Sequence, residues 1–272
     1  MRFTILMLSV ITFFTTYKAH ADLLITPTLI KFEERDRVKE VILLNTSSST
    51  RKYTVEWLQQ EQKPGGQYHV MSESQLEEFS TASEYLRVSP RRVTLAPGEN
   101  QRVKLLLRRS ADMKKQEYRS HLKFTALPTE TEEEESVTSG VAIRLKSLIS
   151  YSIPVVLNFD GKKDADLKIE QVNFLPSTGN SRHGNIYVSF QKPLGNSVFG
   201  DLVAKFKKDG SSEFVPVGFL NGVNIFHENE QAERLISWSQ NVPVEPGTLS
   251  VEFNSLGNGG RFVVAEKRIA LN

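Results

Sequence analysis

No cysteine occurs among the 272 residues. That absence excludes disulfides, thiol nucleophiles, iron–sulfur clusters and cysteine-based zinc sites. Long apolar runs are missing too. The one concentrated stretch, Phe3–Phe14, is shorter than the roughly 20 residues a bilayer-spanning helix needs, and nothing later qualifies. Charge of one sign is also lacking: 34 Lys and Arg face 32 Asp and Glu. Without residues 1–21, which contribute Arg2, Lys18 and no acid, the balance is 32 to 32. Net charge therefore points to neither nucleic acid nor a membrane surface as a partner. The chain has no Walker loop, no dinucleotide-binding glycine fingerprint and no G-x-S-x-G elbow. His69, His121, His183 and His227 are scattered without metal-ligand spacing and read as surface or strand histidines. No catalytic residue, cofactor or metal is expected.

What is present begins with a processing signal. Arg2, the Phe3–Phe14 stretch and Ala19-His20-Ala21 have the order of a secretory signal peptide, so residues 1–21 are expected to be removed and the mature chain to start at Asp22. An exported chain without disulfides is stabilised by burying a core, and this length suits two domains. From Asp22, alternating runs read as strands at Leu23–Phe32, Val38–Leu44, Tyr53–Gln59, Tyr85–Leu95, Gln101–Arg108, Tyr118–Leu127 and Val141–Leu157. Turns such as Lys63–Gly66 and Ala96–Asn100 separate some of them, and Glu73–Ser83 is the one helix-like piece. Seven strands in this arrangement suggest an immunoglobulin-like β-sandwich with Tyr53, Val55 and Trp57 facing inward, Trp57 as a core plug. The polar segment Leu157–Leu167 reads as a linker. Further runs follow at Lys168–Phe174, Asn185–Gln191, Asp201–Lys207, Phe214–Phe219, Gly222–His227, Glu233–Trp238, Leu249–Phe253 and Arg261–Leu271. The chain thus divides into the signal 1–21, a first domain 22–159 and a second, also all-β, 160–272.

Three segments are candidates for function. The acidic run Thr129–Glu135 reads as a solvated loop. Between Arg87 and Lys123 lie eleven Lys and Arg against three acids. That pattern fits a solvated sheet face, or a docking surface for an acidic partner or a terminal carboxylate, which Arg binds with a bidentate fork. The third is Gly140–Val156. Val141, Ile143, Leu145, Ile149, Tyr151, Ile153 and Val155 share one face, interrupted by Ser147. It is about twice the usual strand length, follows the charged loop and leads into the linker. Such an alternation serves either an ordinary core or β-strand addition, in which main-chain bonds give affinity and pockets on a partner take every second side chain.

The order of a signal peptide, "ITPTLIKF", "YLRVSPRRVTLAPGENQRVKLLLRR", "EYRSHLKFTALP", a variable loop and a long strand ending "SYSIPVVL" resembles the periplasmic chaperones of the chaperone–usher pathway. "EYRSHLKFTALP" has the form seen in the archaic, Csu-type branch of these PapD-like proteins. The resemblance implies a boomerang of two immunoglobulin-like β-sandwich domains, a periplasmic location, and no nucleotide or enzymatic step. It implies that the seventh strand is lent to a pilin subunit, which is then passed to an outer-membrane usher. The donor side chains would be Val141, Ile143, Leu145, Ser147 and Ile149. Self-association through that strand is a further expectation. The family's usual cationic pair for a subunit's terminal carboxylate is not evident, because Leu29 and Pro154 stand near those positions. Arg119, Arg144, Lys146 and Lys31 are the candidate substitutes. The absence of cysteine also departs from the family's long-loop subclass. Two other classes remain open on the residues alone: a surface or adhesive protein of tandem immunoglobulin-like domains, and an exported sugar-binding or hydrolytic β-sandwich.

Overall fold

Alternating apolar side chains build paired sheets in the computed structural model, which describes residues 22–110, 113–128, 148–159, 166–177, 184–239, 241–257 and 260–272. The first half contains β1 (Leu23–Thr26), β2 (Ile30–Phe32), β3 (Val38–Asn45), β4 (Arg51–Leu58), β5 (Gln60–Gln62) and β6 (Tyr68–Val70). The one-and-a-half-turn helix α1 (Glu73–Glu78) follows, then a short 3-10 turn at Ser83–Tyr85. After these come β7 (Leu86–Ser89), β8 (Arg92–Leu95), β9 (Asn100–Leu107), β10 (Glu117–Leu127) and β11 (Ser150–Asn158). One sheet has the order β1-β3-β9-β7 and the facing sheet β2-β11-β10-β4-β8. Side chains of both inner faces, among them Phe32, Val41, Leu43, Leu95, Leu105, Leu122, Phe124 and Val155, form one core.

The second half contains β12 (Lys168–Leu175), β13 (Asn185–Gln191), β14 (Val198–Lys208), β15 (Val215–Ile225), β16 (Gln231–Ser237), β17 (Gly247–Gly257) and β18 (Gly260–Leu271). Sheets ordered β12-β13-β16 and β15-β14-β17-β18 enclose a separate core around Phe190, Phe206, Trp238 and Phe253. The fold is all-β, two β-sandwiches in sequence.

Several expectations need correction. The runs Leu23–Phe32 and Tyr85–Leu95 are each two strands, because a proline without an N–H interrupts the ladder at Pro27 and at Pro90. The piece Glu73–Ser83 is helical only to Glu78. Trp57 is half-buried at the margin of the core, whereas Tyr53 and Val55 are buried as expected. Phe214–Phe219 and Gly222–His227 are not two strands but the single β15. Two of its residues, Asn221 and Gly222, stand opposite Asp201 alone. This bulge places Gly222 at φ +66, and its N–H donates to Asp201 Oδ1 at 2.9 Å. Polar hairpin β5–β6 lacks the apolar alternation that marks other strands, and it carries no core residue that would reveal it.

Candidate functional site

Strand β10 explains why the two sandwiches meet where they do. Tyr118, Leu122 and Phe124 point into the first core. The opposite face carries Glu117, Arg119 and His121, three titratable residues at every second position, and all three are buried. Such a face survives burial only if each group finds a partner. Here the partners come from the second sandwich and from the β5–β6 hairpin.

Arg119 is the centre of the junction. Its Nη2 donates to Gln60 O at 2.8 Å and to Glu228 Oε1 in the second sandwich. Its Nη1 lies 3.3 Å from His121 Nδ1. The guanidinium also stands 4.2 Å from the Phe226 ring centre and 5.2 Å from that of Phe79, a cation–π pairing strengthened by exclusion of water. Burial, with the Arg119 charge beside it, pushes His121 down to about 3. The imidazole is thus neutral at ordinary pH and accepts from Arg119 through Nδ1. Glu117 accepts from Ser197 N at 3.0 Å and from Ser197 Oγ, while Ser197 Oγ accepts from His227 N at 3.0 Å. His227 Nδ1 lies 3.3 Å from Glu117 Oε1 and 3.4 Å from Glu228 Oε2. Lys192 is buried nearby. Desolvation pulls its ammonium down to about 8, against the upward pull of Glu117, Glu228 and Glu230. This ion network joins two bodies, although Arg119 Nε, His121 Nε2 and Glu228 Oε2 within it make no hydrogen bond. Among the described residues no cluster of three or more His, Asp or Glu suits a metal ion.

A second strut is the hairpin. Pro64 O in its turn accepts from Glu233 N at 2.7 Å and Arg234 Nη1 at 2.8 Å, both on β16. Arg234 Nη2 donates to Asn224 O at 2.8 Å. Gly66 at φ +90 lets the turn close over that guanidinium, since a Cβ there would stand 3.0 Å from its central carbon. A recess of about 570 Å³ remains between hairpin and second sandwich.

On the other side of the junction a cleft of about 380 Å³ is walled by Leu29 and Lys31 from the first sandwich and by Asn196, Ser197, Phe199 and Asp201 from the second. Lys31 is exposed, its Nζ lies 6.0 Å from the Phe199 ring centre, and no described carboxylate pairs with it. Arg119 is at the junction itself, fully enclosed and bonded to Glu228. Arg144 and Lys146 lie outside the described residues. So do Val141, Ile143, Leu145 and Ser147, as do residues 1–21. Ile149 is described: with Leu148 it stands about half exposed, at 53% and 54%, at the entry to β11. Beyond it, Ile153, Val155 and Leu157 enter the core. Pro154 is buried opposite His121.

The free edge of β11 completes the geometry. β2 runs parallel to it but pairs only at Val155–Leu157. From Ser150 to Pro154, β11 is paired with β10 alone among the described residues. Ile149 continues this ladder, its O accepting from Ala126 N at 3.1 Å.

No family model matches the chain, and no curated protein matches it. Solved structures do. It is similar to the YadV chaperone at 12% identity, over 92% of this chain and 100% of that one, with a TM-score of 0.43. The CupB2 chaperone of Pseudomonas aeruginosa matches at 13% identity over 91% and 100%, with a TM-score of 0.45. The CsuC–CsuE chaperone–tip subunit pre-assembly complex of Acinetobacter baumannii matches at 13% identity over 92% and 98%, with a TM-score of 0.44. Each of these neighbours is a chaperone or a chaperone complex, the last from Csu pili.

Sequence reading did not find Glu228, Ser197, Lys192 or the strands of the hairpin, and it took His227 for a surface or strand histidine. One signal was available. Glu117, Arg119 and His121 form a charged stripe along a strand whose other face is wholly core, which marks a face covered by another body. The basic residues between Arg87 and Lys123 have mixed roles. Arg102 pairs with Glu40 at 3.0 Å and Lys123 with Glu56 at 3.5 Å on the surface, and Arg119 is interior.

Proposed function

We propose that this protein is a periplasmic pilus-assembly chaperone that stabilises pilin subunits by lending them the strand leading into β11, then passes them to an outer-membrane usher. The observation that carries the reading is the one-sided pairing of β11 over Ser150–Pro154, preceded by two half-exposed apolar residues. An unpaired strand edge invites another chain to add a strand. The sequence upstream supplies the required alternation at Val141, Ile143, Leu145, Ser147 and Ile149. Each large apolar side chain buried in a partner contributes about 1.5–3 kcal/mol before ordering costs.

The cleft beside this edge suits the end of the bound subunit. Lys31 sits on β2 next to β11, and its ammonium, with which no described carboxylate pairs, serves as the anchor for a terminal carboxylate. Arg119 already satisfies Glu228 and acts instead as the strut that holds the cleft's walls at fixed spacing.

The test is to express the full chain with an affinity tag in its native host. Mass spectrometry then identifies any small β-rich protein recovered one-to-one from the periplasm. Replacing Ile143 and Leu145 together with Asp should abolish that recovery. Unchanged recovery would overturn the donor-strand reading.

A further inference from the structure

The loop from β13 to β14, Lys192 to Ser197, holds a buried polar side chain that the junction does not use. Asn196 lies between two fixed neighbours. Gly195 donates its N–H to His227 O at 3.1 Å, and Ser197 is bonded to Glu117 through both its N–H and its hydroxyl. The Asn196 backbone is thereby tied to the ion network. Its side chain is enclosed, with 6% of the residue exposed, and lines the cleft that Lys31 borders. Yet Asn196 Oδ1 has no hydrogen-bond donor. A buried acceptor with nothing to accept is the kind of group that a binding partner satisfies. On the same wall Ser197 is engaged with Glu117, Ser255 with Phe199 O, and Asp201 with Gly222.

Lys31 and Asn196 ask for different things. Lys31 offers a cation that no described carboxylate pairs with, and Asn196 offers an acceptor without a donor. A simple carboxylate would answer only the first. The end of a polypeptide answers both, because its carboxylate is followed at once by the N–H of the last residue. We infer that Asn196 Oδ1 accepts a hydrogen bond from the last backbone N–H of the bound chain, while Lys31 holds that chain's terminal carboxylate. Asn196 is then a specificity-determining residue, supplied by the second sandwich, that reads the main chain and not the side chain. This rests on the reading of the cleft as the anchor for a subunit's end. It adds that recognition needs both sandwiches, held by the Glu117–Ser197 bond.

The experiment uses the whole mature protein and three synthetic probes, titrated by amide NMR. They are acetyl-Gly-Val-Phe with a free carboxylate, its terminal carboxamide, and the analogue in which the last amide is an ester and so lacks the N–H. The ester should bind about tenfold more weakly than the amide, the usual scale for one buried hydrogen bond. The difference should vanish in Asn196→Leu. Equal binding of ester and amide to the unaltered protein overturns the role of Asn196, as does an ester penalty that persists in Asn196→Leu. The comparison in the unaltered protein needs no variant, so a poorly folded Asn196→Leu cannot mask the answer. The carboxamide separates the two readings. If it binds as well as the free acid, the Lys31 anchor fails whatever the ester does. If no probe perturbs cleft resonances, both fail.

Discussion

Replacing Arg119 with Met tests whether the two sandwiches are one cooperative body. Met keeps most of the stem but removes the guanidinium, so Glu228 Oε1, Gln60 O and His121 Nδ1 lose their donor. Two ring contacts, to Phe226 and Phe79, are lost with it. Removing one member of a buried ion pair costs about 3–5 kcal/mol, chiefly because the other charge stays desolvated. Glu228 is partly open, at 20% side-chain exposure, and can rehydrate, which favours the lower end, about 3 kcal/mol. Urea midpoints should therefore fall by about 1 M or more, given slopes of roughly 1–3 kcal/mol per M. The two tryptophans make the assay specific. Trp57 reports the first sandwich and Trp238 the second, so Trp57→Phe and Trp238→Phe backgrounds follow each separately. Both signals should move through one transition with Arg119 present and through two transitions in Arg119→Met. Adding Glu228→Gln to Arg119→Met should recover part of the loss, because no unpaired charge is then left behind. A loss under about 1 kcal/mol, or strict additivity of the two substitutions, refutes the account of the junction.

Two further outcomes follow from the same geometry. His121 is held at about 3, below the 6.5 of an unperturbed imidazole, so the unfolded chain binds the extra proton between those values and the folded chain does not. Stability contributed by keeping His121 neutral is fully present above about pH 6.5 and is lost as pH falls toward 3, roughly 2 kcal/mol of it by pH 5. His121→Leu should flatten that part of the stability-versus-pH curve, and an unchanged slope in urea unfolding at several pH values would contradict the assignment. At the β15 bulge, Gly222→Ala meets no atom within 4 Å of the new Cβ, so its cost is conformational, about 1–2 kcal/mol for φ +66. Gly222→Asn should cost less, and equal thermal shifts for the two would count against the left-handed requirement.

The chain's own order of residues determined much of this protein. Alternation in Val38–Leu44, Tyr53–Gln59 and Gln101–Arg108 was enough to place strands, because a sheet buried on one face writes its period of two directly into the sequence. The lack of cysteine excluded disulfides and thiol chemistry outright, since no arrangement in space can supply a missing sulfur. Where the pattern misled, backbone chemistry was responsible. Pro27 and Pro90 divide runs that remain apolar across the break. The Asn221–Gly222 bulge, for its part, joins two runs into one strand while looking like a turn. Other features could not be read locally at all. Hairpin β5–β6 is polar and buries no core residue, so its attachment to β16 depends on where the second sandwich stands. Arg119, one of eleven basic residues in its segment, looked like a ligand for an outside carboxylate. Glu228, over a hundred residues away, supplies that carboxylate from within. The sequence determines which strands form, since that depends on neighbours along the chain. Tertiary structure decided which charges are already paired and set Lys31 and Asn196 on one cleft, because pairing depends on neighbours in space.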